Sequence, residues 1–390
     1  MDQDGINDIK KPTSHEVIDQ KKNENKSVKK IMKKKRRIII AISVFLIIFF
    51  IVPFGLTIYI YQTNSIFTNR FETASWRRRS PDEFDQLNMK KFTFPSNDGQ
   101  LLTGYKYDKE KISTKGIIVM AHGLGGGGHI GYMDMADFFA ANGYVVFAYD
   151  ATGNDESEGD AVHGLPQGII DLDYAVQFVK NSGEFDSLPI MLFGHSWGAY
   201  AAGSVLNIHP DIKAVVMFSA FNQSTDMIEE EGERILGSGI KLLIPYVTVF
   251  ERMKFGNYAA YNCIKGFEKS DAGGMFIHSR DDSQNSYEKQ FERFSHTFQD
   301  DPRFVFISFE DREHNYVYYS DASRDYQNEF NKGFTEHINA LDTELTNEIY
   351  SAYIDENFDK TKFFDLDIEL LDEIVSFYDN YAVSMNEKAS

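Results

Sequence analysis

The fifteen residues from Pro189 to Gly203 read PIMLFGHSWGAYAAG. An apolar run is followed at once by Gly194-His195-Ser196-Trp197-Gly198, and then by small residues at helical density. The run suits a strand buried on both faces of a parallel sheet. The small residues suit a helix, with Ala201, Ala202 and Gly203 allowing it to pack closely on neighbouring strands. Between the two, Ser196 has to perch on a strained strand-to-helix turn, where Gly194 and Gly198 spare the bend two Cβ clashes. The helix N-terminus behind that turn points partial positive charge toward any oxyanion formed at the serine.

The same rhythm extends on both sides. Upstream, FTFPSNDGQLLTGYKY alternates around Asn97-Asp98-Gly99, a hairpin signal. GIIVMAH (Gly116–His122) and YVVFAYD (Tyr144–Asp150) are buried-strand runs, with helical stretches near Tyr132–Asn142 and Pro166–Lys180. Downstream come a helix to about Ile208 and the strands Ile212–Ala220, Gly274–Ser279 and Arg303–Glu310, with a helix near Ser286–Phe298. Strands alternating with helices of this length predict an α/β fold with a mostly parallel central sheet flanked by helices. The alternation breaks at about 222–270, where pieces such as IKLLIPYVTVFERM predict a helical cap insertion. The chain closes on an amphipathic helix at Ile368–Tyr381, with Asp367 as its N-cap.

A serine needs a base, and the base needs an acid to orient it. Three histidines follow strand Gly274–Ser279: His296, His314 and His337. His296 falls in a helical pattern and His337 in a helix well past the last strand. His314 falls in the loop DREHN at a strand's carboxyl end, where ligand-facing residues of open α/β sheets gather. For the acid, Asp281 and Asp282 both follow MFIHS, and only one can accept the imidazole Nδ1–H. Asp282 is preferred, with Asp281 the alternative. The oxyanion calls for two backbone donors. One is the N–H of Trp197, the residue after the nucleophile. The other belongs to the loop HGLGGGG, His122–Gly128, which lacks the Lys-Ser/Thr of a phosphate-binding P-loop.

Charge divides the chain. Residues 1–37 carry +6 and the part from Gln62 onward −25, for a net −19. The acidic body disfavours nucleic acid as a partner. Ile38–Tyr61 is an uncharged run of 24 residues, about 36 Å as a helix, against a hydrocarbon core of about 30 Å. It predicts a transmembrane helix, kinked at Pro53 or Gly55, with Tyr59 and Tyr61 in an interfacial belt. Lysines and arginines crowd its N-terminal side from Lys29 to Arg37, while Arg70, Arg77, Arg78 and Arg79 across the span are fewer and farther away. A single-pass cell-membrane protein with a cytoplasmic N-terminus and an extracytoplasmic body is therefore expected. The expected organisation is a basic cytoplasmic tail over 1–37, disordered through about residue 28, then the span over 38–61. A polar stalk over 62–91 and the catalytic domain over 92–390 follow. Cys263 is the only cysteine, which excludes an internal disulfide and a thiolate-cluster metal site. The acidic loop DATGNDESEGD fails the EF-hand pattern, so neither a metal nor a cofactor is expected.

In these marks the chain resembles the α/β-hydrolase superfamily over roughly Phe92 to Tyr381. The marks are His122-Gly123-Leu124-Gly125, Asp150-Ala151-Thr152-Gly153 with Ser157-Glu158-Gly159, Gly194–Gly198, His278-Ser279-Arg280-Asp281-Asp282, and His314. Thr152 replaces the arginine, and Asp155 a glycine, of the family's D-x-R-G-x-G-x-S loop. The H-G-x-x-D spacing, with Ser279 in place of glycine, favours Asp282 over Asp281. The resemblance is nearest to monoacylglycerol-lipase-like and serine-aminopeptidase-like hydrolases. It implies an α/β-hydrolase fold, oxyanion amides from Leu124 and Trp197, and a cap over Asn222–Ser270 that shapes the acyl pocket. It also implies a region after about Ala340 added to the family's compact ending.

The function expected is a membrane-anchored serine esterase or lipase-like enzyme working through Ser196, His314 and Asp282 on a small-molecule or lipid acyl ester. A serine peptidase or thioesterase is possible on the same groups, and a non-catalytic surface binding module is the rival of another class. A peptidase reading would use Glu229, Glu230, Glu231 and Glu233 to hold an α-amine; a solvated helix face is the alternative for these glutamates.

Overall fold

The computed structural model describes residues 13–110, 112–185, 188–341, 343 and 345–382. The chain divides into two compact units, Met1–Thr57 and Ile58–Ser390.

In the second unit, eight strands form one sheet in the order β1-β2-β4-β3-β5-β6-β7-β8. They are β1 (Leu87–Pro95), β2 (Leu101–Lys109), β3 (Gly116–Ala121), β4 (Tyr144–Asp150), β5 (Ile190–His195), β6 (Ala214–Phe218), β7 (Gly273–Ser279) and β8 (Phe304–Phe309). The hairpin signal at Asn97-Asp98-Gly99 joins β1 to β2, with Pro95 opposite Leu101. β2 also runs antiparallel to β4, and every pairing from β4 to β8 is parallel. The continuous apolar runs have the expected cause. Ile117, Val119 and Ala121 face one core while Ile118 and Met120 face the other, so every β3 side chain is buried. The first core holds the helices Gln167–Asn181 and Trp197–Val205, and the second holds Met133–Ala141 and Ile368–Ala382. Strand order reverses around β3, whose neighbours are β4 and β5, so a crevice opens at the carboxyl ends of these strands. Between β6 and β7 the chain is helical, with Ser224–Leu236, Ile244–Phe255 and Cys263–Glu268 forming the expected insertion.

Two expectations need correction. First, residues 1–12 of the tail lie outside the described residues, and the tail is not disordered beyond them: Ser14–Leu46 is one helix. No Pro or Gly interrupts that stretch, and its Lys, Glu and Gln residues are good helix formers. Lys21–Thr63 is the one helix among the described residues long and apolar enough to cross a membrane, with a mean hydropathy of 3.0 in its most apolar window. Ile47–Ile51 widens into a π-helical turn just before Pro53, which has no N–H to continue the ladder.

Second, 62–91 is not a stalk, and Tyr61 does not sit in an interfacial belt. Tyr61 and Phe67 are buried and stack at 4.6 Å between centroids. Phe71 bridges to Asn154, and Thr73 donates from its N–H to Asp155 Oδ1 at 2.7 Å. Aromatic residues interleaved with the polar ones give this segment a face to bury. The region after Ala340 packs within the second unit. Leu371, Ile374 and Tyr378 are fully buried, and the Tyr378 hydroxyl donates to Leu192 O at 2.7 Å. Asp367 caps this last helix by accepting from Leu370 N at 3.1 Å.

Candidate active site

Ser196 is the last residue before helix Trp197–Val205, and its backbone sits at φ 52°, ψ −112°. A non-glycine residue there costs about 1–3 kcal/mol and persists only where the surroundings impose it. Two contacts impose it here. Ser196 N–H donates to Phe218 O at 2.8 Å, and Tyr200 N–H donates to Ser196 O at 3.0 Å. The glycines on either side make the bend possible. A Cβ at Gly194 would stand 2.4 Å from Gly198 O, and one at Gly198 would stand 2.1 Å from Ala121 O. Within Met191–Tyr200, Ser196 alone is not buried.

The structure brings His314 to this serine from 118 residues away, with Nε2 at 2.8 Å from Ser196 Oγ. Its Nδ1 lies 2.8 Å from Asp282 Oδ2. A carboxylate accepts, so Nδ1 carries the proton, leaving Nε2 to accept from the serine hydroxyl. Asp282 Oδ1 accepts from the N–H groups of Gln284 and Asn285, each at 2.8 Å. Burial by itself would raise the Asp282 carboxyl. The hydrogen bond and charge of His314, the nearby His278 and the Asn285 amide outweigh it and hold the carboxyl below its usual range. Asp281 does something else: it accepts from the Ser279 hydroxyl at 2.5 Å and from Glu313 N–H at 2.8 Å. It thereby anchors the residue before His314, which has a positive φ of 44°. Neither His296 nor His337 contacts Ser196; His337 packs on Tyr353.

Trp197 opens the helix behind the serine, and its indole Nε1–H donates away from the site, to Leu165 O at 2.8 Å. Leu124 and Ser196 line one cavity of about 430 Å³. The loop carrying Leu124 is held at both ends. His122 Nε2 accepts from Ala151 N–H at 3.0 Å, so its Nδ1–H donates to Gly123 O at 2.7 Å. At the other end Gly128 N–H donates to Asp155 Oδ2 at 2.7 Å, while Asp150 accepts from His129 at both N–H and Nδ1. In the acidic loop, Asp150 and Asp155 thus spend their carboxylates on protein donors.

Sequence reasoning missed His195, which stood only as the variable residue of G-x-S-x-G. Its Nε2–H donates to His314 O at 3.0 Å, so Nδ1 accepts from the Tyr132 hydroxyl at 2.8 Å. Tyr132 in turn accepts from Gly123 N–H at 3.0 Å. One ring therefore joins the glycine loop to the His314 loop. Burial, with the neighbouring His314 charge, pushes His195 down to about 3, so it stays neutral near pH 7.

The implied pocket does not match the cavity beside Ser196. None of the residues lining it comes from 222–270. Its walls include Trp76 and Arg77, the glycine loop, Asn315, Tyr316, Tyr318 and Tyr319, Gln327 and Asn331 of the helix Asp321–Asn339, and Phe363. The insertion packs elsewhere: Phe250 lies edge-on to Tyr61 at 5.0 Å between centroids, and Glu251 accepts from the Tyr61 hydroxyl at 2.9 Å. Nor do the four glutamates face the cavity. Glu229 and Glu233 pair with Lys241, Glu231 pairs with Arg234, and Glu230 accepts from Ser286 N–H and Gln290.

Residues 112–289 match the family model described as serine aminopeptidase, S33, a stretch that contains Ser196 and Asp282 but ends before His314. The comparison with curated protein sequences yields no match. Among solved structures, a Pyrococcus furiosus esterase is 18% identical with a TM-score of 0.50, over 70% of this chain and 98% of its own. The acylaminoacyl peptidase of Pyrococcus horikoshii is 20% identical with a TM-score of 0.47, over 73% of this chain and 45% of its own. A puromycin-hydrolyzing peptidase of Mycobacterium tuberculosis is 15% identical with a TM-score of 0.46, over 59% and 36%. With its family-model match over 112–289, its sheet order and a serine held on the bend between β5 and the following helix, the chain has the α/β-hydrolase fold.

Proposed function

We propose that the protein is a membrane-anchored serine hydrolase that cleaves an acyl ester. The observation that carries this reading is the relay Ser196–His314–Asp282, with 2.8 Å at each link and the serine on a strained bend. Ser196 Oγ attacks the acyl carbonyl as its proton passes to His314 Nε2. The carbonyl oxygen becomes an oxyanion facing the amides of Leu124 and Trp197, where losing one donor of such a pair typically costs about 10²–10³ in kcat. The intermediate collapses, the bond from carbonyl carbon to alcohol oxygen breaks, and His314 returns its proton to the departing alcohol. Water, deprotonated by His314, then releases the acid from Ser196 by the same steps. Asp282 holds the imidazole tautomer and stabilises the imidazolium.

An ester is favoured over an aminopeptide because no carboxylate among the described residues lines the cavity to meet an α-amine. The helix Lys21–Thr63 supports an anchor, and the basic residues before Ile38 support a cytoplasmic N-terminus. The test is fluorophosphonate labelling of the full-length protein in detergent. Wild type should label and hydrolyse p-nitrophenyl acyl esters in preference to aminoacyl p-nitroanilides. Ser196→Ala and His314→Ala should do neither. A folded wild type that neither labels nor turns over would make this a binding module, whereas faster anilide cleavage would make it a peptidase.

A further inference from the structure

The run Arg77-Arg78-Arg79 looks in sequence like one solvated basic cluster, yet its members have different fates. Arg78 pairs with Asp155 at 2.9 Å, and Arg79 pairs with Asp134 at 3.0 Å and Glu83 at 3.4 Å. Arg77 has no carboxylate within ion-pair distance among the described residues. Its guanidinium carbon lies 5.9 Å from the Trp76 ring centroid and 5.5 Å from that of Phe363, and its Nε is shielded from solvent without an acceptor. A shielded N–H without a partner is costly, and the cost is recovered when an acceptor arrives. Two aromatic rings beside the guanidinium restrict it, which lowers the ordering cost of binding.

Arg77 lines the cavity that holds Ser196 and His314. The remaining walls add neutral polar groups, among them Asn315, Tyr316, Gln327 and Asn331, and no Asp or Glu. On a chain of net charge −19, Arg77 is thus the one Lys, Arg, Asp or Glu among the described residues that line the cavity beside the serine. At about 430 Å³ it lies toward the small end of ligand pockets, which run about 300–1,000 Å³. A guanidinium fork matches the planar or tetrahedral oxygens of a carboxylate or phosphate, two hydrogen bonds at a time.

We infer that Arg77 binds an oxyanion, carboxylate or phosphate, carried by the substrate, so that the enzyme acts on small anionic esters. This rests on the hydrolase reading above. The competing role is purely structural, with Arg77 only stacking on Trp76 and Phe363.

The experiment uses the full-length protein in detergent micelles and three esters of matched length. These are neutral 4-nitrophenyl butyrate, 4-nitrophenyl hydrogen glutarate, and 4-nitrophenyl 4-phosphonooxybutyrate. In wild type, kcat/KM for at least one anionic ester should exceed that for the neutral one by about tenfold or more, the yield expected of one charge-assisted contact. Whichever anion carries the preference identifies the group. Arg77→Gln should collapse the anionic-to-neutral ratio toward one, and Arg77→Lys should keep part of it. A ratio near one in wild type, or one that survives Arg77→Gln in a protein with normal melting behaviour, overturns the inference. A second arm needs no turnover: calorimetry on Ser196→Ala should detect the preferred anionic ester, with that binding lost when Arg77→Gln is added. Absence of binding there counts against the anion site. Binding there alongside a wild type that hydrolyses no ester overturns the hydrolase reading and leaves the anion site standing.

Discussion

Two adjacent carboxylates illustrate how far one residue's role depends on its direction. Asp281 and Asp282 leave β7 together, yet one accepts from Glu313 N–H and the other from the His314 ring. Their substitutions should separate. Asp282→Asn replaces an acceptor with a group that cannot fix the tautomer, and kcat should fall on the order of 10⁴-fold. Asp281→Asn keeps an oxygen for the Glu313 amide and removes no group from the relay, so its loss should be about tenfold or less. Steady-state kinetics on p-nitrophenyl esters measure both. Comparable losses would mean that the acid has been misassigned. His195 is a positioning residue of the same neighbourhood. It is kept neutral by burial, and both of its nitrogens are used in joining the His314 loop to Tyr132 and so to the glycine loop.

At the scale of elements, the helix Ile244–Phe255 carries a group whose charge depends on pH. Glu251 is buried, and its Oε1 accepts from both the Tyr61 and Ser224 hydroxyls while Oε2 has no partner. Burial, only partly offset by those hydrogen bonds and by Lys254, raises its carboxyl to about 7. A folded-state value above the unfolded one means that the folded protein holds this proton more tightly. The stability it contributes is therefore complete below about pH 4.5 and is lost as pH rises through about 7. Glu251→Gln keeps the Oε1 acceptor and removes the titration. Its melting temperature should match that of wild type near pH 5 and exceed it at pH 8, by the equivalent of a few kcal/mol at most. Thermal melts across that range provide the check, and a difference that does not vary with pH would exclude Glu251 as the source. Helix Asp321–Asn339 and the turn Ser75–Arg77 matter for another reason: they supply cavity wall that the insertion does not.

For the whole molecule, the divided charge and the apolar helix make orientation testable. Cys263, the only cysteine, is fully buried, and burial pushes its thiol up to about 12. It should stay silent to maleimide in the native protein. Against that background, Lys332→Cys, at a side chain 78% exposed, should label on intact cells. Lys22→Cys should label only after permeabilisation. The reverse pattern would place the catalytic unit in the cytoplasm, and equal labelling of both would argue against a membrane crossing.

The sequence by itself determined the sheet, the bend and the order of the chemistry. A buried strand needs a run of apolar residues, a sharp turn needs glycines, and both requirements are local, so PIMLFGHSWG could be read directly. The same locality made the unbroken apolar run from Ile38 legible as a helix able to cross a membrane. What the sequence left undecided depends on contacts between distant residues. Tertiary structure sent Asp282 rather than Asp281 to His314, and gave His195 two partners from different loops. It folded the supposed stalk onto the domain and packed the C-terminal helix against the sheet. It also separated Arg77, which lines the cavity without a counterion among the described residues, from two neighbours whose charges are paired. A side chain's partner is set by which segments meet in space, and no pattern confined to its own neighbourhood records that meeting.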